Sequence, residues 1–311
     1  PQGSVISPLL FLIYTTGAKH YIEKDVSIGC YADDIAIWHT TKSKKQTELQ
    51  LNKSLIGIEK WAKERKLNLN PNKTNFCVFT TNRKNRHDYP NIKMQGVKLN
   101  ITETPKYLGI TLDTELRFTK HIENITNKAL KRLKILKRLC GSNWGASPNI
   151  LKLTYTSIIR PVLEYGSPIW SHCSDSNLNK LEKVQAQAAK IILGAVSSTN
   201  NETVCKETNI CSLKSRYSLA LLKFINKINC APNNHISKIS FDKYNEINRL
   251  KRSSPIQTYL KLKNVLNLPN LKYITEHTNK RMKPKNLHIS TRLNELTNKK
   301  DHSDYQATIA N

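Results

Sequence analysis

Residues 26–38 read VSIGCYADDIAIW. Two short β-favouring runs flank an acidic pair, Asp33 and Asp34, and the pattern predicts a β-hairpin with both carboxylates at its tip. This pair constrains the chain more than any other feature, because adjacent carboxylates on a tight turn repel each other unless a cation sits between them. Hard divalent cations such as Mg²⁺ suit oxygen ligands of this kind. Two such ions, about 3.5 to 4 Å apart, can stabilise the attacking and leaving oxygens of an in-line phosphoryl displacement. A solvated turn is the plainer account of the dipeptide taken alone, since Asp is a common turn residue.

Charge narrows the partner class. Fifty Lys and Arg stand against 23 Asp and Glu, a net +27, and such a surplus is costly through self-repulsion unless a polyanion neutralises it. Nucleic acid is the natural candidate; a ribosome-associated or simply soluble basic protein is the blander one. Hydrophobic residues make up 38% and no stretch reaches about 18 apolar positions without a charge, so no membrane span is expected, and no secretory leader is visible. Seven cysteines at irregular spacings point to a reducing compartment rather than a disulfide framework. Cys205, Cys211, Cys230 and His235 contain no Cys-x-x-Cys pair, which argues against a zinc site.

The 311 residues allow roughly two domains of about 150 residues. Compact apolar segments alternate with turn signals up to about Thr80, as in an α+β core. Ser43 followed by Gln46 has capping-box form and opens a helix with apolar positions Leu51, Leu55, Ile58 and Ala62, running until the Asn70-Pro71 break. Strands are expected over 75–80, 97–101 and 107–112. A boundary falls near 113–118, and helices follow. The first, over 120–139, sets Ile122, Ile125, Ala129, Leu133, Leu136 and Cys140 on one stripe and Lys128, Lys131, Lys134 and Arg138 on the opposite face, with Gly141 as C-cap. Further helices are expected over 148–160, 177–193 and 213–228. Trp144, Tyr155, Tyr165 and Trp170 could stack bases, but the core is the better expectation for them. After about residue 240 the Asn- and Lys-rich sequence predicts a loosely ordered basic tail.

Five segments follow one another in a telling order: PQGSVISPLLF (1–11), YADD (31–34), LNPNKT (69–74), YLGITLD (107–113) and SIIRPVLEYG (157–166). Together they resemble the reverse transcriptases of non-LTR retrotransposons, of the LINE and jockey-like kind, over roughly residues 1–193. The resemblance implies an α+β chain in four parts: the remainder of a right-hand polymerase palm (1–80), a connection with a primer-grip hairpin (81–117), a mostly helical thumb-like region (118–239) and a basic, weakly ordered tail (240–311). It implies an RNA-directed DNA polymerase that extends a DNA primer on an RNA template from deoxynucleoside triphosphates by two-metal nucleotidyl transfer. The product is an RNA/DNA duplex.

Residue roles follow from the same resemblance. Asp33 looks like the metal-binding carboxylate, Asp34 like its less direct partner, and Tyr31 like the residue near primer end and incoming nucleotide. Gln2, Gly3, Ser4 and Pro8 match the loop and helix that position template and nucleotide, although Pro8 is equally a helix-start device. Lys73 matches a basic residue near the leaving pyrophosphate, with a surface lysine as the plain alternative. Leu108 and Gly109 resemble the primer grip, and Lys128, Lys131, Lys134 and Arg138 look like contacts to duplex phosphates. Starting at the Gln-Gly-Ser motif, the chain is expected to be a carboxyl-terminal fragment. It would lack a further upstream metal-ligating Asp, which leaves the Mg²⁺ site incomplete and the isolated chain inactive. The alternatives are a non-catalytic RNA/DNA-binding relic of such an element and, further off, a maturase-like splicing protein. A nuclear or cytoplasmic location, inside the cell and not secreted, is the matching expectation.

Overall fold

In the computed structural model, which describes residues 4–41, 43–82, 87–141, 144–245 and 254–267, Pro8 stands at the start of the first helix, α1 (Ser7–Thr15). Its fixed φ suits that position, where the missing N–H would have had no intrahelical partner. No residue of α1 is buried. Its carboxyl end is tied to Arg65: Arg65 Nη1 donates to the Tyr14 carbonyl at 3.0 Å, the Tyr14 hydroxyl donates to the Arg65 carbonyl, and the guanidinium lies 5.6 Å from the Tyr14 ring centroid.

The chain divides into two units, Pro1–Leu116 and Arg117–Asn311. In the first, β1 (Val26–Tyr31) pairs antiparallel with β2 (Asp34–His39). Alternation along the strands sends Ile28, Ile35 and Ile37 to one face, where they pack against Ile58, Trp61 and Ala62 of α2 (Lys44–Glu64). Ser43 caps α2, its hydroxyl accepting from the Gln46 N–H at 3.4 Å. The predicted apolar positions Leu51, Leu55, Ile58 and Ala62 are all buried. The helix ends at Glu64, earlier than the Asn70-Pro71 break, because Lys66 takes a left-handed φ of 52° and the Leu67 N–H turns back to the Ala62 carbonyl at 2.8 Å.

Three further pairings complete this unit. The strand expected over 75–80 shortens to β3 (Asn75–Phe76). Next come β4 (Lys93–Met94), which pairs with β5 (Val97–Lys98), and β6 (Asn100–Ile101), which runs parallel to β3; β7 (Lys106–Tyr107) pairs with β8 (Ile110–Thr111). Ile92, Met94 and Leu99 close a core with Val26, Leu51 and Leu55.

The second unit is helical among its described residues. It begins with α3 (Thr119–Leu139), whose Ile122, Ala129, Leu133 and Leu136 are buried, whereas Cys140 lies exposed beyond the helix end. Gly141 is not a left-handed C-cap. Helix α4 (Pro148–Thr154) passes through a π turn (Tyr155–Ile159) into α5 (Arg160–Glu164), so the helical run continues past the predicted end at Arg160. The Arg160 N–H reaches the Tyr155 carbonyl, and this widened turn lets the run continue through Pro161. Then come α6 (Ser167–Trp170), α7 (Asp175–Leu193), α8 (Asn201–Glu207) and α9 (Leu213–Asn229).

Two expectations change here. The weakly ordered tail from residue 240 gives way, within the described residues, to α10 (Ile236–Asn245) and α11 (Pro255–Val265). Phe241, Tyr259 and Leu266 join Leu221, Leu222 and Ile225 of α9 in a buried cluster, because apolar residues recur often enough in this basic sequence to form a seam. Residues 268–311 lie outside the described part. The core expectation for the four aromatics holds for Tyr155 and Trp170, both fully buried, and fails for Trp144 and Tyr165, which are 75% and 57% exposed. Both buried rings find partners for their polar atoms: the Tyr155 hydroxyl donates to Gln185 Oε1 at 2.7 Å and Trp170 Nε1 to the Tyr165 carbonyl at 2.9 Å.

Candidate active site on the carboxylate hairpin

The register Tyr31↔Asp34 leaves Ala32 and Asp33 as a two-residue connection. Ala32 takes a φ of 51°, the left-handed conformation that closes a tight hairpin in step with strand twist. Asp33 therefore stands at the tip and Asp34 opens β2, and both are exposed. The opposite face of the ribbon from the isoleucines carries Ser27↔Trp38, Gly29↔Ala36 and Tyr31↔Asp34. Tyr31 is 65% exposed.

The second hairpin comes to this same face. Leu108 and Gly109 join β7 to β8 with φ of 46° and 80°; two successive left-handed residues make a turn whose twist matches its strands. Tyr107, at the end of β7, reaches over to β1, where its hydroxyl lies 3.8 Å from the point at which a Cβ on Gly29 would stand. Partial burial raises the Tyr107 phenol pKa, and the negative charge of Asp34, with that of Cys30 once its thiol ionises, raises it further. The sequence motif 107–113 contains Tyr107 but assigns it no role. No periodicity signals that an aromatic on one hairpin will cover a glycine on another.

The remaining candidates lie as follows. Gln2 and Gly3 fall outside the described residues. Ser4 Oγ accepts from the Ile6 N–H at 3.4 Å, and Pro8 is exposed in the first turn of α1. Lys73 ends a short 3₁₀ turn (Pro71–Lys73) capped by Asn70, whose side chain accepts from the Asn72 and Lys73 N–H groups at 3.0 and 3.3 Å. Its side chain is exposed and makes no hydrogen bond or ion pair with Asp33 or Asp34. On α3, Lys128, Lys131, Lys134 and Arg138 are all exposed. Residues 116–140 hold eight Lys or Arg against one Glu, a face suited to phosphates.

Among the described residues no group of three or more His, Cys, Asp and Glu converges to hold a metal, and no helix is long and apolar enough to cross a membrane. Asp33 and Asp34 nonetheless offer the donors that Mg²⁺ takes, one or two carboxylates beside substrate phosphates and water.

A family model described as reverse transcriptase (RNA-dependent DNA polymerase) matches residues 1–112. Residues 1–112 are thus similar to the reverse transcriptase family. Curated relatives extend the likeness beyond it. Over 224 residues, 70% of the chain, it is 28% identical to a probable RNA-directed DNA polymerase from transposon BS of Drosophila melanogaster. Over 245 residues, 77% of the chain, it is 27% identical to the RNA-directed DNA polymerase from mobile element jockey of the same species. The jockey polymerase of Drosophila funebris is 30% identical over 63% of the chain. These alignments span 25%, 26% and 22% of the relatives' own lengths. The jockey-like resemblance read from the motifs is thus borne out. No solved structure matches the chain. Both carboxylates and the Tyr107 hairpin fall inside the matched segment.

Proposed function

We propose that the chain supplies part of an RNA-directed DNA polymerase of a jockey-like non-LTR element, with residues 1–80 as palm, 81–117 as connection and primer grip, and 118–239 as thumb. The observation that carries this reading is the meeting of two hairpins within the matched segment: the tip bearing Asp33 and Asp34, and the left-handed turn at Leu108-Gly109 that brings Tyr107 onto the same face.

Each residue then has a task. Asp33 and Asp34 hold Mg²⁺ at the hairpin tip; when bound, the ion supplies positive charge against the phosphoryl oxygens in transfer. Tyr31, exposed beside them, borders the primer end and incoming nucleotide. The Leu108-Gly109 turn brings backbone close to the primer strand, which glycine permits. Lys73 serves the leaving pyrophosphate as a cation or proton donor. Gln2, Gly3, Ser4 and Pro8 position template and nucleotide. The α3 lysines and arginine meet duplex phosphates without reading sequence.

A salt series of binding to a primer-template RNA/DNA hybrid tests this, with Mg²⁺-dependent nucleotide incorporation followed in the same tubes. Binding should fall steeply with salt, and Mn²⁺ taken up at the hairpin should be lost on Asp33→Ala. Absence of hybrid binding overturns the proposal. Binding with neither metal uptake nor incorporation selects the non-catalytic relic instead.

A further inference from the structure

Just past the carboxyl end of α3 stands an aromatic side chain that the polymerase reading does not use. Trp144 is 75% exposed, against an ordinary tendency of tryptophan to be covered. Its posture is built by two glycines. A Cβ on Gly141 would stand 2.8 Å from both Cε2 and Nε1 of the Trp144 ring and 3.1 Å from Cδ2, so the indole lies directly across the Gly141 backbone. A Cβ on Gly145 would stand 2.3 Å from the Gly141 carbonyl oxygen, which is where the Gly145 N–H donates at 3.0 Å. No other residue type fits either position without moving the ring or the turn. The Ala146 N–H, bonded to the Leu139 carbonyl at 2.9 Å, ties the turn back to the helix. One side of the indole is thus backed by the chain and the rest is open to solvent.

The helix end that leads to it is cationic. Lys134, Lys137 and Arg138 occupy the last turns of α3, all exposed, and none has an ion pair among the described residues. The single acid of the helix, Glu123, lies near its other end and pairs with Lys120 at 3.6 Å. An open aromatic ring, held in place at low entropic cost a few residues past a helix end that carries several uncompensated cations, has the composition of a stacking platform for single-stranded nucleic acid.

We propose that Trp144 stacks an unpaired nucleotide base whose flanking phosphates lie along Lys134, Lys137 and Arg138. The base must be unpaired, because within a duplex both of its faces are already stacked on neighbours. The site needs no metal and does not depend on the carboxylate hairpin.

The test uses the full chain labelled with 5-fluorotryptophan, in which Trp144→Phe assigns the Trp144 fluorine resonance. Probes are a deoxythymidine oligomer of about 12 nucleotides and a blunt duplex of equal length. The single strand should shift the Trp144 resonance at many-fold lower concentration than the blunt duplex, whose open base faces are confined to its two ends. Trp144→Ala should weaken single-strand binding roughly tenfold, Trp144→Phe should retain most of it, and Arg138→Gln should reduce the salt slope. Asp33→Ala should leave all of this unchanged, so a failed polymerase reading and a failed stacking site are told apart. The proposal is overturned if the Trp144 resonance stays put at saturating single strand, an outcome that hands the exposed ring to a protein contact. Single-strand affinity within twofold of the parent in a folded Trp144→Ala chain overturns it equally.

Discussion

The Tyr107 hydroxyl covers Gly29 on the carboxylate-bearing face of the first hairpin, 3.8 Å from where a Cβ would be. That same Cβ would stand 3.4 Å from Cζ3 of Trp38, an ordinary contact. Gly29→Ala should therefore be tolerated. Gly29→Val adds methyl groups where Trp38 and Tyr107 already sit, and should cost about 1–3 kcal/mol, read from urea midpoints. Near-equal midpoints for the two variants would refute the close approach.

The charge of Asp34 contributes to raising the Tyr107 phenol pKa, after burial itself. In Asp34→Asn the Tyr107 titration, followed by NMR of ring-labelled tyrosine, should move to lower pH. An unmoved titration would place the carboxylate out of reach.

Gln185 is wholly buried and links three segments: its Oε1 accepts from Tyr155 at 2.7 Å and its Nε2 donates to the Cys211 carbonyl at 3.0 Å. Tyr155→Phe removes the hydroxyl and leaves Oε1 without that donor inside the core. A loss of about 1–3 kcal/mol in stability is expected, since a buried acceptor stripped of its partner bears the full desolvation penalty.

His121 and His172 pack edge-on against Trp170 and Phe118, with ring centroids 5.8 and 5.4 Å apart. Burial lowers both pKa values below the usual 6.5, and for His172 a backbone hydrogen bond at Ile169 works the other way. The unfolded chain then binds more protons than the folded one, so these residues contribute stability above about pH 6.5 that is lost as pH falls through their lowered values. Urea midpoints should drop between pH 7 and pH 5, and His172→Gln should flatten part of that drop.

Burial pushes the thiols of Cys77, Cys173 and Cys205 up to about 11, whereas Cys140 and Cys230 are exposed. Because the thiolate is the nucleophile, brief iodoacetamide treatment at pH 8 followed by peptide mass mapping should modify Cys140 and Cys230 first. Early labelling of Cys205 would contradict the packing of α8.

Elements with local causes were legible from residues alone. The cap at Ser43 and the apolar spacing of Leu51, Leu55, Ile58 and Ala62 define α2 within one segment, and the same holds for the buried stripe and basic face of α3. The carboxylate hairpin was equally plain, since β-favouring runs and a turn stand side by side. What escaped depends on distant partners. The two-residue pairing of Asn75–Phe76 with Asn100–Ile101 joins segments about 25 residues apart, and no periodicity announces it. The covering of Gly29 by Tyr107 is of the same kind. The exposure of Trp144 goes with a ring laid across the bare backbone of Gly141, which no spacing announces, and the seam joining α9, α10 and α11 was hidden under a basic, Asn-rich composition.

The π turn at Tyr155–Ile159 has an effect on phase. Leu151, Tyr155, Ile159 and Leu163 recur at strict intervals of four, and none is more than 2% exposed. On a regular α-helix each such interval advances about 40° around the axis, so the fourth side chain would have swung far from the first. A turn that holds an extra residue rotates less per residue and cancels part of the advance. The stripe stays straight, and the run keeps a four-residue rhythm that an unbroken α-helix could not point at one core.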